Sequence, residues 1–226
     1  MKKILLFAIS ALVMCSLASA QTTKETIKER KLIARQSRTE LTARASKEAR
    51  TAAKTLKKEG WIVAPGQLPL EKQLDKAFNM KYEYEENGLP KYIIGEAKAV
   101  GGVYDAARMQ AINNAKIELA GLISTEVTAL TESTVGNTQI TSEDATSINE
   151  AVQAGKSLIA QKLGRTFVVT ECYRQLNKKN VEVSVTIAYN EQMAMDMAKA
   201  VIRKNLEEKG KDLHEQLDKM WDSLKE

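Results

Sequence analysis

Tyr92 to Val100 read as a strand that runs through Gly101 and Gly102 into a long alanine-rich helix. Along the strand, Ile93, Gly95, Ala97 and Ala99 fall on one face at period two, and a face that small lets a helix backbone come close. In the helix, Ala107, Ala111, Ala115, Leu119, Leu122 and Leu130 recur mostly at three- and four-residue steps, the spacing of one buried stripe. Two small-residue faces therefore meet, and the remaining elements must be arranged around that pair.

Two hairpins are expected beside it. Met80, Tyr82 and Tyr84 alternate with Lys81, Glu83 and Glu85, the mark of a strand with one solvated face, and Asn87-Gly88 turns the chain into the central strand. Residues 165–175 and 180–189 give the clearest sheet signal, with Val181, Val183, Val185, Ile187 and Tyr189 on one side and a turn over residues 177–180. Between the hairpins, Thr141 resembles an N-cap with acids after it, and a helix runs from there to about Leu163. A last helix opens at Asn190 and Glu191, with Met193, Met197, Val201 and Ile202 facing the sheet as core filler. The expected fold is α+β: a four-stranded, mainly antiparallel sheet packed by long helices, over residues 70–205. Beyond it, Leu206, Leu213, Leu217, Met220, Trp221 and Leu224 continue at roughly heptad spacing, interrupted by Gly210. Residues 206–226 are therefore expected to be an extended C-terminal helix that leaves the domain and needs a partner, either the N-terminal arm or a second chain.

The G-x-A strand at Gly95 and Ala97, followed by a helix carrying Ala106, Ala107, Arg108, Ala111, Ala115, Leu119, Ala120 and Ile123, resembles the LPP-twenty lipoprotein family and the related domain of the flagellar T protein. A further match lies in the hairpin that ends at Tyr189, so the resemblance covers roughly residues 90–205. It implies a bacterial envelope protein and carries over no catalytic residue.

The N-terminus supports export. Lys2 and Lys3 precede an apolar run from Ile4 to Cys15, and Ala18-Ser19-Ala20 forms a small-residue cleavage pattern ahead of Gln21. Residues 1–20 are expected to be a signal peptide cleaved after Ala20, giving a periplasmic or outer-membrane-associated protein; no later stretch approaches a spanning length. Leu12-Val13-Met14-Cys15 has the outline of an acylation site, but Met14 stands where a small residue is wanted. With Cys15 removed, Cys172 is the one thiol, and the core must hold the fold without an internal disulfide.

Residues 21–60 read as a basic helical arm. From Lys24 to Glu59 there are twelve Lys and Arg against five acids, in a chain whose net charge is +5, so the body is slightly acidic. One long helix is expected over 24–59, with a thin stripe of Leu41, Ala45, Ala49, Ala52 and Leu56. Arg35, Arg38 and Arg44 are either a solvated face or a dock for an anionic envelope surface or an envelope protein. Export argues against nucleic acid as the partner. Residues 61–69 form a linker, and its Trp61 either clamps the arm on the body or stacks on a ligand with Tyr82 and Tyr84.

Site chemistry is sparse. The mature chain has one histidine and one cysteine at unrelated positions, and its carboxylates are spread along helix faces among Lys and Arg. No catalytic residue, metal set or cofactor loop is assigned: Gly101-Gly102 lacks both the G-x-G-x-x-G pattern and a Walker lysine. Glu96 and Glu182 are the carboxylates weighed as an acid/base pair. The leading expectation is a non-catalytic exported envelope protein that docks or assembles through its helical extensions. The alternative is a periplasmic carrier with a small or lipid-like ligand between sheet and helices.

Overall fold

The computed structural model describes residues 31, 43–86, 88–137, 140–164 and 166–222. The chain divides into two units, Met1–Arg44 and Ala45–Glu226, and the elements below belong to the second. In order they are α1 (Lys47–Lys58), α2 (Leu70–Lys81), β1 (Tyr92–Gly101), α3 (Tyr104–Gly136), α4 (Ser142–Lys162), β2 (Phe167–Gln175), β3 (Val181–Asn190), α5 (Glu191–Glu208) and α6 (His214–Asp222).

The sheet has three antiparallel strands in the order β1-β3-β2. The expected fourth strand at residues 80–86 does not form. The apolar positions of α2 continue at helical spacing through Met80, which is buried against Val169 and Ala188, so the helix carries on where the alternating pattern begins. After it the expected hairpin shrinks to a single bridge between Tyr84 and Pro90. Pro90 has no amide hydrogen to extend a ladder.

The two open edges are each covered in part, one by a side chain and the other by a side chain and a single backbone bridge. On β1, the Glu96 amide donates to the Glu118 carboxylate of α3 at 2.6 Å. On β2, the Glu171 amide donates to Gln73 Oε1 of α2 at 2.7 Å, and Tyr173 exchanges two backbone bonds of 2.8 Å with Ile62. Edges covered in this way are less open to a strand from another chain.

The small-residue face of β1 lies against α3 as its spacing predicts. A methyl group at Gly95 would sit 2.6 Å from the Ala115 carbonyl oxygen, so the helix backbone occupies that space. Ala107, Ala111, Ala115, Leu119, Ile123 and Val127 are fully buried along the stripe. Leu122, expected on it, is exposed, because the stripe turns through Ile123. Helices α4, α5 and α6 complete this side of the core. On the other face, α1 and α2 enclose Trp61, Leu70 and Cys172.

Both helical extensions differ from expectation. Residues 43–46 are not helical, and the Ser46 hydroxyl accepts from the Ala49 amide at 3.2 Å, capping a separate helix α1. The expected helix over 24–59 is thus interrupted, and its earlier part, with Arg35 and Arg38, lies outside the described residues. At the other end, Gly210 adopts a φ of +69°, a left-handed conformation that ends α5 and turns the chain back. Leu217 and Met220 are then fully buried in the main core, and Asp218 pairs with Lys199 at 2.7 Å and Arg203 at 2.9 Å. The heptad-like spacing therefore describes a stripe that α6 buries on its own domain. Leu224 and the signal segment are outside the described residues, among which no helix is long and apolar enough to cross a membrane.

Candidate functional site

The residues singled out in the sequence do not gather into one site. Trp61 is 1% exposed, packed with Ala53, Leu70 and Cys172. The Arg174 guanidinium lies 4.6 Å and the Lys98 ammonium 5.3 Å from its ring centre. Tyr82 and Tyr84 are 67% and 57% exposed, and Arg44 is exposed in the other unit. Glu96 stands opposite Thr186 and Glu182 opposite Val100, four positions along the paired strands. That offset is about 13 Å, and Glu182 is engaged by Arg174 at 2.7 Å.

A buried polar cluster lies at the edge of the sheet, its carboxylate met by three donors although the Gln67 Oε1 beside it has no partner. Glu171 is 3% exposed; its Oε1 accepts from Tyr104, from Arg108 Nε at 2.9 Å and from Gln67 Nε2 at 2.8 Å. Burial pushes the carboxyl upward, but the three donors together outweigh it and hold it below the usual range. Burial, and then the Glu171 carboxylate, pushes the Tyr104 hydroxyl up to about 12, with Arg108 opposing. Arg108, quoted above for the family resemblance, thus ties α3 to β2. Cys172, one residue on, is inert, since burial pushes its thiol up to about 11.

Several unmet groups converge elsewhere, in an open cleft of about 940 Å³ bordered by α3, α5, α6 and the segment around residues 85–91. Leu89, Ala129, Leu130, Met195 and Trp221 give it an apolar lining, and Glu85, Glu86, Glu126, Glu191 and Asp196 give it acid. Its two lysines are already engaged: Lys91 with Glu83 at 2.6 Å and Lys199 with Asp218 at 2.7 Å.

Each carboxylate has a structural reason to be there. Glu126 flanks the buried stripe of α3, next to Val127, so the packing that buries Ile123 and Val127 also draws its carboxyl inward. Glu191 is the first residue of α5, held by the cap in which Asn190 accepts from the Met193 amide at 2.9 Å and by its own amide donating to the Lys91 carbonyl at 3.1 Å. Trp221 is brought in by the reversal at Gly210 and is 4% exposed.

Three polar atoms in this lining are buried without a hydrogen-bond partner: Oε2 of Glu126, Oε2 of Glu191 and Nε1 of Trp221. Leaving such groups unpaired costs about 1–3 kcal/mol each. Burial, and then the charge of Glu191, pushes the Glu126 carboxyl up to about 7. Burial, and then Glu85, raises Glu191 as well. A cleft in this condition offers two buried carboxylate oxygens and one buried indole N–H that nothing within the protein meets. Among the described residues no group of three or more His, Cys, Asp or Glu is disposed to hold a metal ion.

No family model, curated protein or solved structure matches the chain. The cleft must therefore be read from its own chemistry. Its residues are 65 positions apart in the sequence at Glu126 and Glu191, but one signal was present: Glu126 is the only charged residue between Leu119 and Thr131, inside an otherwise apolar and small-residue run.

Proposed function

We propose that this is an exported, non-catalytic protein of the bacterial cell envelope that binds a small molecule in the cleft between α3, α5 and α6. The observation that carries the reading is the set of unpartnered buried atoms on Glu126, Glu191 and Trp221 within one apolar-lined space. The binding site differs from the carrier expected from sequence, whose ligand lay between sheet and helices beside Trp61, Tyr82 and Tyr84. Binding is favoured over acid/base catalysis because both carboxyls are raised for the same reason, burial. An acid and a base working as a pair need environments that drive them apart. The export pattern and the resemblance to the LPP-twenty lipoproteins support the envelope setting.

Native mass spectrometry of protein purified gently from its host tests the reading. A bound small molecule is expected on the wild type and absent from Ala129→Trp, whose indole would fill the cleft from an exposed position. A bare mass for wild type in repeated preparations would overturn it.

A second role, docking on an anionic envelope surface, is supported by the way α1 is held. Ala49 and Ala53 bury its thin apolar stripe, leaving Lys47, Lys54 and Lys58 exposed on a fixed helix. Sedimentation with envelope membranes should then be released by high salt and weakened when these three lysines become glutamines. Sedimentation that ignores both changes would remove this role. With α6 spent on its own domain, the N-terminal arm is the helical extension left to join a homo-oligomer.

A further inference from the structure

We infer that the ligand of the cleft is an organic cation, specifically a protonated primary amine on an apolar chain that also offers a hydrogen-bond acceptor. This deepens the binding reading above and rests on it. Charge sets the sign of the ligand. Glu85, Glu86, Glu126, Glu191 and Asp196 face a space whose two lysines are each neutralised by another acid, Glu83 and Asp218. An anionic ligand would enter against that excess, and a neutral one would leave it unrelieved.

Hydrogen-bond inventory sets the head group. The unpartnered oxygens of Glu126 and Glu191 are acceptors and need donors. A primary ammonium carries three N–H groups and can serve both carboxylates, whereas a quaternary ammonium has the charge and none of the donors. The independent observation is Trp221, 96% buried by its 4% exposure, which lines the same space with an indole N–H that nothing accepts. An acidic surface alone would not leave a donor stranded beside it. The ligand therefore needs an oxygen or similar acceptor as well as its ammonium. Leu89, Leu130 and Met195 supply the wall for the apolar part.

Binding such a cation must also release protons. Near neutral pH the raised Glu126 carboxyl is partly protonated, and a cation beside it favours the charged form. The charge of Glu191 keeps that proton in place until the cation arrives, Glu85 acts likewise on Glu191, Asp196 lines the same space, and Lys91 and Lys199 are held by their own partners.

The test is calorimetric titration of the full mature chain at pH 7 with octylammonium, octanol and octanoate, three probes of equal chain length and different head group. We expect octylammonium to bind at least tenfold more tightly than octanol, with octanoate weakest and with proton release visible as a dependence of the heat on buffer. The double variant Glu126→Gln, Glu191→Gln should abolish that preference while remaining folded, since each change replaces a buried charge by a neutral group of the same shape. Octanol or octanoate binding as tightly as octylammonium would overturn the cation inference and leave a binding cleft in place. A preference that survives in the double variant would also overturn it, by placing the amine elsewhere. Failure of the wild type to bind any of the three overturns the inference, and the host-derived mass then decides separately whether the cleft binds at all.

Discussion

Glu126 and Glu171 show how two carboxyls withdrawn from water in one domain come to opposite states. Glu171 is met by three donors and stays ionised; Glu126 is met by none and retains its proton to about pH 7. Their linkage to stability runs in opposite directions. The Glu126 carboxyl titrates near 4.5 when unfolded and near 7 when folded, so the native state binds the extra proton between those values and stability falls as pH rises through that window. Glu171 is lowered, so its contribution is present above the unfolded value of 4.5 and is lost as the pH falls below it. Glu126→Gln should abolish the decline on the alkaline side, making the variant more stable than wild type by about 1 kcal/mol at pH 8, after allowance for solvent screening, and little different at pH 4.5. Urea unfolding at both pH values checks this. Equal stability of the two proteins at pH 8 would mean that the carboxylate has found a partner.

At the scale of elements, the pairing of β1 with α3 is the most sensitive contact in the fold. Gly95→Ala would drive a methyl group into the Ala115 carbonyl oxygen at 2.6 Å and Leu119 Cγ at 2.8 Å, and backbone cannot yield as a side chain can. We expect a loss of about 2–4 kcal/mol, read as a lowered thermal midpoint. The same substitution at Gly121, also facing out of α3's buried stripe, meets only the movable end of Lys156 at 3.3 Å and should stabilise the helix by about 0.5 kcal/mol. This pairing was legible because both partners announce themselves locally, one at period two and the other at three- and four-residue steps. The fourth strand was misread for the converse reason. Met80, Tyr82 and Tyr84 give only three beats of alternation, and the burial of Met80 against Val169 and Ala188 is a tertiary fact that carries the helix through Lys81, into the start of that pattern. The C-terminal stripe was legible as apolar spacing, but not its partner, because Gly210 reverses the chain and spacing alone does not say against what a stripe is buried. Leu217→Ala tests that packing: a fully buried leucine should cost about 3 kcal/mol in chemical unfolding, whereas a helix projecting into solvent would register almost nothing.

For the whole domain, the account is one of separated charge on the two sides of a small sheet. α1 carries its lysines on the side enclosed by α1 and α2, and the acid-lined cleft belongs to α3, α5 and α6 on the other. None of this cleft was legible as a site, because it is assembled from four distant parts: Glu126 from the middle of α3, Glu191 from the β3–α5 junction, Glu85 from the turn before β1 and Trp221 from the last helix. Glu126 alone stands out in its own stretch, as the one charged residue between Leu119 and Thr131. Only their convergence leaves acceptors and a donor unmatched. The titration of Glu126 reports that convergence, since its shift depends on burial within the assembled fold and on the charge of Glu191. Carbon NMR of the side-chain carboxyl, followed across pH in the ligand-free protein, is therefore the most direct measurement. The assembled, unmatched cleft predicts a midpoint near 7. A midpoint near the ordinary 4.5 would mean a solvated or partnered carboxylate, and would contradict the account.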